Sequence, residues 1–295
     1  MQLIWPRLAL AVLSFLAASW DPGAVAAQPT STPNRDYVPQ IGQEGKDVIW
    51  VPTPQSLVER MLDMTNVTAK DYVIDLGSGD GRTVISAAKR GARALGIEYN
   101  PEMVALAKRN AESAGVNGRA QFLQADIFKT DFSEADVLTL YLLPSLNLKL
   151  RPTILKMKPG TRVISHAFTM DDWRPDQTDT IENRSAYMWI VPAPVEGTWQ
   201  LNLSGDPGHT QELVLRQRFQ YAEGLVTING KTGQVRDAKL EGPQITFTVF
   251  EPTNREPLRY EFTGRVAGDT MEGTVKLPGG EQTWKASRVA TPEKQ

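Results

Sequence analysis

Apolar residues recur along the chain in two rhythms, and the change from one to the other divides it. Leu57, Val58, Met61 and Leu62 fall on one face of a helix, with Thr53 as its expected N-cap and Pro54 at its first position. From residue 72 to 168 short apolar runs alternate with amphipathic stretches. The runs 72–77, 93–99, 119–126, 135–143 and 161–168 predict strands; 82–89, 101–114 and 145–157 predict helices. Asn100-Pro101 repeats the cap-plus-proline start, and Pro159-Gly160 ends the last of these helices. Such alternation predicts an α/β fold, a doubly wound, Rossmann-like, mostly parallel sheet with helices on both faces. Residues 176–182 and 185–192 add an antiparallel hairpin at its edge.

After Pro194 the period drops from 3.6 to 2. Trp199, Leu201 and Leu203 alternate with Gln200, Asn202 and Ser204, and Ile245, Phe247 and Val249 with Thr246 and Thr248. Turn signals recur at Asn229-Gly230, Gly242-Pro243, Gly268-Asp269 and Gly279-Gly280. About eight short strands at this spacing predict a small all-β antiparallel barrel. The expected organisation is therefore a linker over 28–49, an α/β domain over 50–193 and a barrel over 196–290.

The first 27 residues add a further expectation. Arg7 precedes the apolar run Leu8 to Trp20, and Ala24-Val25-Ala26-Ala27 follows, the arrangement of a secretory signal peptide. The run is shorter than the roughly 20 residues of a membrane span. Export, to a periplasmic location, is expected, with an uncleaved N-terminal membrane anchor as the rival reading and no stable span after signal removal. Zero cysteines suit an oxidising compartment and exclude thiolate chemistry. With 32 basic and 34 acidic side chains, net charge is -2, so no nucleic-acid partner is expected. His166 and His209 are too few for a histidine-rich metal site, and no metal is expected.

The first strand runs through Asp75 into Gly77-Ser78-Gly79-Asp80-Gly81-Arg82 and straight into a helix. Glycines here free space for a ligand to approach the backbone, and a loop at this point of an open α/β sheet is where cofactors bind. Arg82 stands where the dinucleotide fingerprint needs its third glycine, and no phosphate loop is present. Glu98 ends the second strand 21 residues after Gly77, where a carboxylate accepts both hydroxyls of a ribose. Asp126 ends the third strand beside Ile127 and Phe128, a place suited to an adenine amino group. Either acid alone can also be read as an ordinary solvated strand end; the three strand ends together point to a nucleoside ligand.

DLGSGDGR, GIEYN, QADIF and LYLLP resemble the cofactor and acceptor motifs of class I S-adenosylmethionine-dependent methyltransferases. VPTP, SHAF and DDWRPD are similar to one subgroup, the mitochondrial protein-lysine N-methyltransferases of ATP synthase c-subunit and adenine nucleotide translocase, with their bacterial relatives. The resemblance covers residues 50–192; the export signal and barrel depart from the mitochondrial members. It implies S-adenosyl-L-methionine as cofactor. Gly77, Gly79 and Gly81 line its methionine part with Asp80 in the same loop, and Asp75 orients the loop or meets the amino group. Glu98 takes the ribose, and Asp126 with Ile127 the adenine. Tyr141 through Pro144 face the methyl acceptor, with Tyr141 and Pro144 as catalytic candidates, although Tyr141 reads equally as core. His166 reads as a structural histidine or a substrate contact, Trp173 as a pocket wall or a cover for the sheet edge.

Gly197-Thr198-Trp199 at the start of the barrel and Trp284 to Arg288 at its end resemble the lipocalin arrangement, in which a last-strand arginine covers the first-strand tryptophan. The barrel then binds an apolar ligand, recognises a target, or serves only as a folding partner. The acceptor expected is a protein lysine or other amine. A small-molecule methyltransferase and a non-catalytic S-adenosylmethionine-binding protein of the cell envelope are the alternatives.

Overall fold

A computed structural model describes residues 37–205, 210–228, 230–253 and 256–289. The expected signal segment lies outside them.

Helix α1 (Gln55–Met64) buries the apolar stripe of Leu57, Val58, Met61 and Leu62. It starts at Pro54 and has no side-chain cap; Leu57 and Val58 donate to the Pro54 carbonyl. Thr53 is therefore not the N-cap, because its hydroxyl is used elsewhere. β1 (Tyr72–Leu76), α2 (Arg82–Lys89), β2 (Arg93–Glu98), α3 (Pro101–Ser113), β3 (Ala120–Gln124), β4 (Val137–Leu140), α4 (Pro144–Ile154) and β5 (Arg162–His166) then alternate. Asn100 caps α3 as expected, its side chain accepting from the amides of Glu102 and Met103. β6 (Gln177–Ile181) and β7 (Arg184–Ile190) form the edge hairpin, giving the strand order β3-β2-β1-β4-β5-β7-β6. The first five strands pair in parallel; β7 runs against them, and β6, antiparallel to β7, runs with them again. β1 and β4 are buried on both faces, hence their unbroken apolar runs.

β8 (Gly197–Leu203), β9 (Gln211–Arg218), β10 (Tyr221–Ile228), β11 (Lys231–Glu241), β12 (Gln244–Glu251), β13 (Leu258–Ala267), β14 (Thr270–Leu277) and β15 (Gly280–Arg288) close into an eight-stranded antiparallel barrel, in which β15 pairs with β8. Its interior is filled by side chains: Phe247 and Phe262 face one another in register and stack at 4.5 Å, with Trp284 edge-on to both. Gly264 makes room for that indole, since a Cβ there would lie 2.4 Å from Trp284 Cζ2; its partner Gly273 lets the β13 backbone approach, since a Cβ there would strike the Thr263 carbonyl. Arg288 lies over the Trp199 ring at 4.1 Å and donates to the carbonyls of Glu196 and Pro194 and to Asp269, so the last strand is tied to the segment leading into the first.

Candidate functional site

The loop after β1 is shaped by glycines, and they do different work. Gly77 (φ +80) and Gly79 (φ +53) occupy the left-handed region and line a cavity of about 700 Å³ at the C-terminal ends of β1, β2 and β4. Gly81 (φ +84) turns the chain into α2, but a Cβ there would strike the Phe122 ring at 2.6 Å and Ala107 at 2.9 Å. It thus serves the packing of the loop on α3 and β3 and does not line the cavity. Gly96, which sequence reasoning missed, leaves space beneath the loop: a Cβ there would lie 2.4 Å from Ser78 Oγ.

Glu98 tethers the loop. Its Oε2 accepts from the Gly79 amide at 3.0 Å and its Oε1 from the Asn100 amide at 2.9 Å. Asp75 is buried, accepts from Thr139 Oγ1 at 2.5 Å and lines the cavity floor. Burial pushes its pKa up to about 7, with the Glu98 and Asp80 charges adding to the rise and Thr139 opposing it. Asp80 is held by the Arg82 guanidinium, which also donates to the Thr53 carbonyl at 2.9 Å.

At the far end, Asp126 Oδ1 accepts from the Phe128 amide at 3.0 Å and Oδ2 from Lys46 Nζ at 2.9 Å. The Lys46 hydrogen bond, with that amide, holds the Asp126 carboxyl below its usual range. Ile127 forms an apolar wall of the cavity beside it. Lys46 belongs to a segment read from composition as linker. Residues 42–50 instead fold back as a hairpin, with Gly42 donating to Trp50 and Trp50 to Gln43. The hairpin crosses the cavity: Trp50 lies over Gly79, where a Cβ would meet its Nε1 at 2.7 Å, and Lys46 over the Tyr99 ring at 5.1 Å.

The other end is aromatic. Tyr141, half-buried after β4, stacks on His166 at 3.8 Å and near Phe168 at 6.3 Å. Its hydroxyl makes no hydrogen bond among the described residues. His166 is buried, its Nδ1 is 3.0 Å from Thr53 Oγ1, and burial, with the Arg184 charge, lowers its pKa to about 4. It is neutral at pH 7 and acts as a prop behind Tyr141. Tyr141, Leu142, Leu143 and Phe168 line the cavity; Pro144 does not, since it opens α4 and faces solvent. Trp173 is also absent from the wall; it is fully buried between Trp189 and Phe219.

The donor and acceptor set fits an adenosine-type ligand. Two glycines at positive φ open the floor, Glu98 offers carboxylate oxygens at the second strand end, and Asp126 with Ile127 offers an acceptor beside an apolar wall. An isolated ribose-adenine site would need no aromatic end; here that end shares the same cavity.

Comparison with known proteins bears on what the cavity holds. Residues 75–177 match the model of the ANTKMT methyltransferase domain. The chain is 40% identical over 162 residues to a protein-lysine N-methyltransferase of Saccharolobus islandicus (strain REY15A), covering 52% of this chain and 96% of that protein. It is 35% identical over 188 residues to the ATP synthase c-subunit lysine N-methyltransferase of Mus musculus, covering 62% and 71%. An RNA methyltransferase from Salinibacter ruber, solved in complex with S-adenosyl-L-homocysteine, aligns with 49% identity over 49% of this chain and 96% of that one, with a TM-score of 0.48.

Proposed function

The chain belongs to the ANTKMT methyltransferase family of class I S-adenosylmethionine-dependent enzymes, and from that premise we propose that it methylates lysine side chains of proteins. The observation that carries this reading is one continuous cavity with Glu98 and Asp126 at one end and Tyr141 and Phe168 at the other. Its volume of about 700 Å³ lies within the range of small-ligand sites.

In this reading Gly77 and Gly79 line the methionine part of the cofactor, with Asp75 and Asp80 fixing their loop. Glu98 takes the ribose hydroxyls, and Asp126 with Ile127 the adenine. S-adenosylmethionine supplies a methyl group already activated on a sulfonium, so the chain's own residues need chiefly to align the acceptor. The faces of Tyr141 and Phe168 receive the acceptor ammonium and hold its nitrogen in place. The free Tyr141 hydroxyl accepts a hydrogen bond from the amine as the proton leaves to solvent. His166, being neutral, adds no repelling charge.

Incubation with methyl-labelled S-adenosylmethionine and protein extract, followed by peptide mass spectrometry, tests the acceptor. Methyl-lysine in defined peptides is expected. Label confined to small molecules supports the small-molecule reading instead, and no label with intact cofactor binding supports a binding protein. We also propose that residues 1–27 direct export and that the acceptor lies in the cell envelope. Cleavage after Ala26 or Ala27, read by mass spectrometry of the native protein, is the expected result; an intact N-terminus in the cytosolic fraction overturns it.

A further inference from the structure

The turn between β9 and β10 grips the segment that carries Phe168. β9 ends in Arg218, and Phe219 (φ 55) with Gln220 leads into β10. All three residues reach the segment 167–176. Arg218 donates to Asp172 Oδ2 at 3.0 Å, and the Phe219 ring stacks on Trp173 at 5.9 Å and 15°. The buried Gln220 amide donates to the Arg174 carbonyl at 2.7 Å. Arg151 of α4 joins the same cluster. Its guanidinium lies 5.3 Å from the Phe219 ring centroid and donates to the Met170 carbonyl at 2.8 Å and to Asp172 Oδ1 at 2.5 Å. Because α4 begins directly after Tyr141–Leu143, both aromatic walls of the cavity are anchored on one barrel turn.

The segment needs such an anchor. Ala167 (φ 64) and Asp171 (φ 57) hold left-handed conformations without being glycine. That backbone is costly for a residue with a Cβ, and it persists only where its surroundings hold it. Between them the Phe168 amide donates to the His166 carbonyl at 2.8 Å, a tight turn that sends Phe168 to the cavity wall.

We infer that the barrel is the positioning element of the acceptor end: Arg218, Phe219 and Gln220 fix the place of Phe168 and, through Arg151, of Tyr141 to Leu143. None of the three turn residues lines the cavity, so they are positioning residues. The cofactor end is carried by β1 to β3 and the loops that follow them. The kinetic part of the inference rests on the lysine-methyltransferase reading.

The test uses the full chain carrying 3-fluorotyrosine, with the Tyr141 resonance assigned through Tyr141→Phe. Phe219→Ala is compared with Val275→Ala, a truncation in the barrel core away from the turn. Phe219→Ala is expected to shift or broaden the Tyr141 fluorine signal and to raise KM for poly-L-lysine roughly tenfold, the scale of a small misplacement. Its affinity for S-adenosylhomocysteine should stay unchanged. Val275→Ala should lower Tm without either effect. If Phe219→Ala does not fold, Arg218→Ala, at an exposed position, replaces it. An unmoved Tyr141 signal, equal effects from both truncations, or a parallel loss of cofactor affinity overturns the inference. A wild-type chain that transfers no methyl to poly-L-lysine tells against the acceptor reading alone, while the fluorine spectrum and the affinity still decide the positioning role.

Discussion

Replacing Glu98 by alanine removes one carboxylate that does two jobs. In the folded chain it holds the Gly79 amide at 3.0 Å and the Asn100 amide at 2.9 Å, so it fixes the floor of the cavity before any ligand arrives. It is also the acceptor assigned to the ribose hydroxyls. Hydrogen bonds to a charged group contribute about 1.5–3 kcal/mol each. The two backbone amides can turn to water in the free variant, so the affinity loss is set mainly by the ribose contact. At about 1.4 kcal/mol per tenfold, S-adenosylmethionine binding should weaken roughly 12- to 150-fold. Glu98→Gln keeps an acceptor oxygen and should lose less. Calorimetric titration of both variants with S-adenosylmethionine and S-adenosylhomocysteine measures this directly. Neither NAD nor ATP should bind comparably to the wild-type chain. A correctly folded Glu98→Ala whose Kd is unchanged, or tight binding of NAD, would refute the assignment.

Two buried groups should give opposite pH dependences. Asp75, raised to about 7, binds its proton more tightly folded than unfolded, so its contribution is present in acid and falls as pH rises from about 4 to 7. His166, lowered to about 4, binds its proton less tightly folded, so its contribution is present above about 6.5 and falls as pH drops toward 4. Melting curves at pH 5 and 7.5, each read relative to the wild-type chain, should show Asp75→Asn losing stability on acidification and His166→Gln gaining it; parallel profiles would contradict both shifts. Gly81→Ala should cost several kcal/mol in urea unfolding, because positive φ and a 2.6 Å approach to Phe122 add together; a loss under about 1 kcal/mol would show that the loop yields easily. Arg288→Ala should lower Tm, and Arg288→Lys should not restore it, since a lysine cannot fork to two carbonyls while covering Trp199. Full rescue by lysine would reduce the contact to simple charge.

The parallel sheet is legible in the sequence because β1 and β4 are buried on both faces and each is punctuated by a cap, a proline or a glycine. The barrel is legible because most of its strands keep period 2, as at Trp199, Leu201 and Leu203, while β11 breaks it at a bulge around Asp237. What stays hidden is direction. Gly77, Gly79 and Gly81 share one spacing, yet only the fold shows that Gly81 looks toward Phe122 and the other two toward the cavity. Pro144 sits in the same motif as Tyr141, but as the first residue of α4 it turns outward. Thr53 has the right type and place for a cap and is drawn off by His166, 113 residues away. The hairpin over 42–50 has no periodicity and is fixed by long-range contacts such as Lys46 to Asp126, 80 residues apart. Lys46 and Trp50 are therefore cavity residues that pattern alone does not mark.

The closure of β15 onto β8 has a consequence for solubility. A ring of paired strands offers no free row of amides and carbonyls, so the barrel gives a neighbouring molecule nothing to extend. Among the described residues the exposed borders belong to the sheet, at β3 and β6, and each is five residues long. β6 reads Gln-Thr-Asp-Thr-Ile, with Asp179 held by Arg60, and β3 exposes Gln121, Leu123 and Gln124. Short, largely polar borders are poor templates for strand addition. The fifteen strands of the described residues thus carry little of the fibril-forming hazard that so much β-structure would otherwise bring.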